Sequence, residues 1–298
     1  MSVLLSFSNL TDRSQPPLGL LDLESFTLSI PPIPDELRGS LGITGLAASQ
    51  DAIYVVVQRP AHETAEPDTS ALAILAPGTL SLKGFYTFSL GLDVHSIMVV
   101  GDRLLAVSTG TDELLELGLA DAGVTSESVV WRPRSDAPRT DINHLNGLCS
   151  HRGALIVSGF GPRSGDRWSS ATKGYILNLD CGDVVRSDLR QPHSVASCGS
   201  EVAYCESAQA AVTLGDFGRV SDLPGYTRGL CLVDRQWLVG TSVGRHPEDS
   251  RGIANAADPG ICTGMCGVSS IGPGLQVERS LDLGAYATEI YDLLPLWG

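Results

Sequence analysis

His95-Ser-Ile-Met-Val-Val-Gly-Asp-Arg-Leu-Leu-Ala-Val-Ser-Thr109 reads as a short apolar strand, a Gly-Asp turn, and an alternating strand that ends in small hydroxyl residues. Apolar runs of this length bounded by turn residues are strand signals, and a two-residue turn between them makes a hairpin. The same grammar returns at Thr44-Gly-Leu-Ala-Ala-Ser-Gln-Asp-Ala-Ile-Tyr-Val-Val-Val57 and at Asn146-Gly-Leu-Cys-Ser-His-Arg-Gly-Ala-Leu-Ile-Val-Ser-Gly159. It returns again at His193-Ser-Val-Ala-Ser-Cys-Gly-Ser-Glu-Val-Ala-Tyr-Cys-Glu-Ser207 and at Arg228-Gly-Leu-Cys-Leu-Val-Asp-Arg-Gln-Trp-Leu-Val-Gly-Thr-Ser242. In every copy seven residues separate the head of the phrase from its turn residue.

A sixth head stands at Glu289-Ile-Tyr-Asp-Leu-Leu-Pro-Leu296, close to the end of the sequence, while strand-like segments at Ser2–Ser8, Leu20–Leu23 and Phe26–Ile30 precede the first full copy. Successive heads lie 35 to 61 residues apart. Four strands with their turns take about 40 to 50 residues, the period of a β-propeller blade. The reading is therefore an all-β chain: one six-bladed β-propeller domain over residues 1–298, closed by N- and C-terminal strands that share the last blade. Sharing removes the open edge that a linear array of sheets leaves. A two-layer sandwich also uses many short strands, but it does not explain a phrase that returns at near-even spacing.

Composition agrees with a globular β protein. The 298 residues are 43% hydrophobic and 18% charged, with 33 Gly and 17 Pro to make turns. Lys+Arg 20 against Asp+Glu 34 gives a formal net charge of −14, the wrong sign for a phosphate-binding groove, so no nucleic-acid partner is expected. No apolar run approaches the roughly 20 residues of a membrane-spanning helix. The first residues lack the basic segment and cleavage site of a secretory signal, which makes a cytoplasmic location the expectation and the Asn9-Leu-Thr11 sequon incidental. In that compartment the seven cysteines read as small buried hydrophobes, and Cys262-Thr-Gly-Met-Cys266, lacking a second pair at finger spacing, is a weak metal knuckle.

In a propeller the first strand of each blade faces the axis, so the heads of the repeated phrase become the candidate site: Thr44, His95, Asn146, His193, Arg228 and Glu289. His144 joins them, two residues before Asn146 and therefore on the same strand face. His95, His144 and His193, with Glu289 as a fourth ligand or a general base, suit a divalent transition metal, zinc or iron, with an open coordination position. Glu289 and Tyr291 are the candidates for moving protons. Arg228 is the candidate for gripping a carboxylate or phosphate, with Asn146, Thr44 and Tyr226 as further substrate contacts. Simpler roles exist for each. A strand-start histidine can bond a neighbouring carbonyl, Arg228 can pair with Glu289, and Asn146 can brace a turn.

Gly240-Thr-Ser-Val-Gly244 spells a nucleophile elbow, but it closes a blade strand with no helix after it. No dinucleotide fingerprint or P-loop follows Gly159-Phe-Gly161, so no nucleotide cofactor is expected. The segments 161–173 and 244–264 read as long loops that could cover a site, with Arg163, Arg167, Trp168, Arg245 and His246 facing a ligand.

Asn143-His-Leu-Asn-Gly-Leu148, Tyr226-Thr-Arg-Gly-Leu230 and Glu289-Ile-Tyr-Asp-Leu-Leu-Pro295 resemble inner-strand motifs of the DUF4915 group of bacterial propellers, from about His95 to the C-terminus. That resemblance implies a propeller and no particular activity. The expected centre is also similar to those of several propeller enzymes. Peptidyl-hydroxyglycine lyases hold zinc on three histidines, which His95, His144 and His193 would imitate. Carotenoid oxygenases hold iron on four, a fourth being absent here. Gluconolactonases bind calcium with Glu, Asn and Asp, of which Glu289 and Asn146 would be matched. Strictosidine synthase-like propellers use a glutamate without metal, a part open to Glu289. The expected function is a metal-dependent lyase, isomerase or hydrolase acting on a small anionic or carbonyl-bearing molecule. The alternatives are a metal-free enzyme with Glu289 as base, and a noncatalytic binding propeller. The substrate, the metal and the oligomeric state are left open.

Overall fold

The structure, a computed structural model, describes residues 1–10, 12–59, 69–121, 123–133, 138–165, 168–243 and 264–296. Its chain divides into two compact units, Met1–Asp141 with Leu294–Gly298, and Ile142–Leu293.

Twenty-four strands among the described residues form six antiparallel four-stranded sheets, the blades of a six-bladed β-propeller. In the first unit, β1 (Ser2–Phe7), β2 (Leu18–Asp22) and β3 (Thr27–Ser29) make one sheet. The next holds β4 (Gly42–Ala48), β5 (Ile53–Gln58), β6 (Thr69–Leu75) and β7 (Leu82–Leu92). A third holds β8 (Val94–Val100), β9 (Arg103–Ser108), β10 (Glu113–Ala120) and β11 (Gly123–Trp131). The second unit carries β12 (Leu145–His151), β13 (Ala154–Gly159), β14 (Gly174–Asn178) and β15 (Val184–Leu189) as one meander. A further meander comprises β16 (Pro192–Cys198), β17 (Glu201–Glu206), β18 (Ala211–Leu214) and β19 (Arg219–Val220). The last comprises β20 (Tyr226–Val233), β21 (Gln236–Ser242), β22 (Gly267–Ile271) and β23 (Val277–Asp282). Strand β24 (Ile290–Leu296) pairs beside β1, giving the order β24-β1-β2-β3. The last blade is thus built from both ends of the sequence, as the repeat arithmetic expects.

Burial follows position in the blade. The second strands are apolar without alternation, as in Ile-Tyr-Val-Val-Val of β5, because neighbours cover both faces. Outermost strands alternate, as in Val-Glu-Arg-Ser-Leu-Asp of β23, where one face meets solvent. Within the first unit Val56 and Leu72 pack with Val94, Leu104 and Leu115. In the second, Ala203, Cys205 and Val212 pack with Leu230, Trp237 and Val239. The turns match the sequence grammar. Arg152-Gly153 and Asp234-Arg235 each join two strands as two-residue loops with both φ angles positive, the geometry that suits the twist of a hairpin.

Outer strands of neighbouring sheets in the first unit are latched by Glu127. It accepts from the Tyr86 hydroxyl at 2.8 Å and from the backbone amides of Ser89, Leu90 and Gly91. Its partial burial pushes the carboxyl pKa upward, and the hydrogen bonds from Ser89, Tyr86 and Leu90 outweigh this, holding it below the ordinary value.

The described cysteines are free thiols, and only Cys181 is exposed among them. Burial pushes Cys149, Cys205 and Cys266 up to about 12 and Cys231 higher still. The thiolate is the reactive form, so these thiols should be inert while folded. Alkylation at neutral pH followed by peptide mass mapping is expected to mark Cys181 promptly and the five buried positions only after unfolding. Prompt labelling of Cys205 or Cys231 would contradict this packing. Cys262, of the weak Cys262–Cys266 knuckle, lies outside the described residues.

Candidate functional site

The heads of the repeated phrase share a local device. The ladder between first and second strands is interrupted between Ile43 and Leu46, Val94 and Ser96, Leu145 and Gly147, His193 and Ala196, and Arg228 and Leu230. A bulge frees a residue from strict alternation and re-aims its side chain. Thr44, His95, Asn146, His193 and Arg228 all stand at these interruptions. Glu289 directly precedes β24.

The residue two places before the head completes the device. Asp93, His144 and Gln191 hold this position with φ of 48°, 51° and 53°, a left-handed conformation uncommon for residues other than glycine. Each touches its own head. His95 Nε2 lies 3.1 Å from Asp93 Oδ1, Asn146 Nδ2 donates to the His144 carbonyl at 3.1 Å, and His193 Nδ1 lies 3.2 Å from the Gln191 carbonyl. In the next blade Tyr226 holds the equivalent place, and its ring lies 5.0 Å from the Arg228 guanidinium carbon.

Thr44 and His95 belong to the first unit. The Thr44 hydroxyl donates to the Val94 carbonyl at 2.7 Å, and Gln58 reaches both Thr44 Oγ1 and Asp93 Oδ1. His95 is buried, and its Nε2 faces a half-exposed carboxylate.

The second unit brings together His144, Asn146, His193, Tyr226, Arg228, Glu289 and Tyr291, all buried. Arg228 Nη1 meets Glu289 Oε2 at 2.9 Å, with the side chains 3% and 5% exposed. The guanidinium lies between two phenol rings, Tyr226 at 5.0 Å and Tyr291 at 5.2 Å. Aromatic faces attract a desolvated cation, which offsets part of the cost of burying the charge. Among the described residues, Arg228 Nε is buried and makes no hydrogen bond.

From Tyr226 a chain of bonds runs inward. Its hydroxyl donates to Gln191 Oε1 at 2.9 Å, and Gln191 Nε2 donates to the Trp168 carbonyl at 3.0 Å. The phenol proton is therefore committed, and Tyr226 contributes a wall and a cation–π face. His193 Nδ1 lies 2.8 Å from Ser207 Oγ, whose own hydrogen is donated to the Thr227 carbonyl at 2.6 Å. His144 packs against Phe160 and Trp168, ring centroids 4.5 Å away in both cases, and Phe160 also meets His193 edge-on at 5.0 Å. Asn146 braces the bulge: Oδ1 accepts from Ser158 at 2.7 Å and Nδ2 reaches the His144 carbonyl.

Trp168 comes from the loop at 161–173, buried at the start of a short 3-10 turn, with Arg163 stacked 4.8 Å from its ring. Arg167 and residues 244–263, with Arg245 and His246, lie outside the described residues. Ser242 of the G-x-S-x-G string is a buried strand residue whose hydroxyl donates to the Ile290 carbonyl at 3.1 Å, an arrangement unlike an exposed nucleophile elbow. Among the described residues no three His, Cys, Asp or Glu side chains are grouped as metal ligands, and no helix is long and apolar enough to cross a membrane.

Sequence reasoning missed Phe160, Gln191 and Ser207. The step of two residues back from the head, taken for His144, yields Asp93, Gln191 and Tyr226 when taken in the neighbouring blades as well.

Residues 78–298 match the family model described as domain of unknown function, DUF4915. No curated protein matches the sequence. Among solved structures, a protein of unknown function from Bacteroides caccae is similar, with a TM-score of 0.64 and 10% identity over 100% of this chain and 99% of that one. A candidate 6-phosphogluconolactonase from Bacteroides fragilis gives a TM-score of 0.57 and 10% identity over 98% of this chain and 96% of that one. A chain of a nidogen/laminin complex gives 0.57 and 13% over 98% and 97%. At these identities the likeness concerns the fold alone.

Proposed function

The chain belongs to the DUF4915 family, and for this member we propose an enzyme that holds a small anionic or carbonyl-bearing molecule at Arg228 and moves a proton on it with Glu289 and Tyr291. The reaction is of lyase, isomerase or hydrolase type. The observation that carries this reading is the buried guanidinium between two tyrosine rings, paired with one carboxylate and retaining an Nε–H unsatisfied among the described residues. A buried donor of this kind suits a ligand oxygen, and arginine can serve two oxygens at once through its planar fork. Glu289, held 2.9 Å from the guanidinium, places a carboxylate beside any ligand bound there, the group type that general-base chemistry uses. The aromatic walls exclude water, which strengthens every charge interaction inside.

A specific observation also favours a second reading, in which the site uses zinc or iron. In the second unit His193 bonds through Nδ1, the outer-shell contact that metal-binding imidazoles use. The described residues supply no group of three ligands to hold the metal. Elemental analysis of untagged protein decides between the readings: one equivalent of zinc or iron, lost in His193→Ala, favours the second.

The first reading is tested with gluconate, 6-phosphogluconate, pyruvate and glucono-1,5-lactone as probes, using calorimetry for binding and proton release for turnover. Arg228→Lys keeps the charge and loses the fork, and should weaken binding of the responding probe by about one hundredfold. Equal binding by wild type and Arg228→Lys, or no response to any probe, would count against it. Binding without turnover would make the protein a noncatalytic propeller.

A further inference from the structure

We propose that Ser207 is a positioning residue that fixes His193 as its Nδ1–H tautomer and thereby makes Nε2 the proton-accepting nitrogen of the second unit. The inference rests on the reading of that unit as a proton-transfer site, and it assigns a base to it besides Glu289.

A serine hydroxyl has a single hydrogen. That of Ser207 is spent on the Thr227 carbonyl at 2.6 Å. Toward His193 Nδ1, 2.8 Å away, Ser207 Oγ can then only accept. The second neighbour of Nδ1 is the Gln191 carbonyl at 3.2 Å, which also only accepts. Two acceptors facing one ring nitrogen require that nitrogen to carry hydrogen, and in neutral imidazole the lone pair then falls on Nε2.

The supports are themselves held. Ser207 is fully buried and begins a 3-10 turn (Ser207–Gln209) directly after β17. Gln191 is pinned at its side chain by Tyr226 and Trp168. Phe160 and Tyr226 meet the imidazole edge-on at 5.0 Å and 5.6 Å and fix its plane. When Nε2 takes a proton from a ligand C–H or O–H, that bond's electron pair stays on the ligand and His193 becomes an imidazolium. Its Nδ1–H remains on the same two acceptors, which stabilise the cation, and the proton returns from Nε2 to the product.

The test is nitrogen NMR of the full-length protein labelled with ¹⁵N-histidine, the His193 signals being assigned by their loss in His193→Gln. Wild type at neutral pH should show a pyrrole-type Nδ1 and a pyridine-type Nε2. Ser207→Ala removes the nearer acceptor and should lower the Nδ1–H to Nε2–H ratio about five- to tenfold, the factor one net hydrogen bond represents. A pyridine-type Nδ1 in wild type overturns the proposal without any variant having to fold, and so does an unchanged ratio in Ser207→Ala. If the tautomer is as stated while every probe ignores Arg228→Lys, the functional reading fails and the positioning of His193 stands.

Discussion

Replacing Arg228 by methionine is expected to destabilise the protein by about 3–5 kcal/mol, the usual cost of removing one partner of a buried ion pair. The loss comes less from the missing attraction than from what remains. Glu289 would keep its buried place beside a thioether that offers no hydrogen. Tyr226 and Tyr291 would lose the cation between their rings. Urea unfolding followed by circular dichroism should show the midpoint falling with an unchanged slope, because the surface exposed on unfolding is the same. A loss under about 1 kcal/mol would place the pair among solvent-relaxed ones, against the burial seen here.

The second large effect concerns Gly240, which pairs with Arg228 across β20 and β21. A Cβ there would run into the Arg228 carbonyl oxygen and come within 2.7 Å of the Ile290 side chain. The first obstacle is backbone and cannot rotate away. Gly240→Ala should therefore cost about 3 kcal/mol, the upper end of overpacking penalties. It should also weaken any ligand bound at Arg228, since the strands that yield are those carrying Arg228 and leading out from Glu289. Ser242→Ala, two residues on, removes one buried hydrogen bond and should cost about 1 kcal/mol without abolishing turnover. Reversal of the two effects would revive Ser242 as a nucleophile.

The contrast between these neighbours shows what the sequence discloses. The repeated phrase is legible because a hairpin needs apolar alternation on both sides of a turn, and that pattern survives any change of individual side chains. Arg228 and Glu289 are legible by phase alone, as heads of that phrase, and their ion pair follows as the simpler of the two roles open to them. The bulge at each head leaves a trace that the phrase reading passes over: Gly or Ser follows each of the five heads, at Gly45, Ser96, Gly147, Ser194 and Gly229, and a glycine inside a strand pattern is a bulge signal. The left-handed backbone at Asp93, His144 and Gln191 is not legible, because aspartate and histidine, though enriched there, adopt it in only a small share of cases and glutamine seldom does. Ser207 could not be found because its importance lies in which way one hydroxyl hydrogen points. Trp168 was visible only as part of a polar loop; its burial against His144 depends on tertiary contacts with Phe160 and Gln191.

On the proposed function the buried pair serves chemistry, and the fold itself would tolerate its replacement by apolar side chains. The direct measurement is the unfolding free energy of the double variant Arg228→Met/Glu289→Leu beside the single Arg228→Met. Because no uncompensated charge remains, the double variant should return to within about 1 kcal/mol of wild type, or exceed it. A double variant as destabilised as the single, or more so, would show that the blades themselves depend on this pair, and would contradict the assignment of a functional site here.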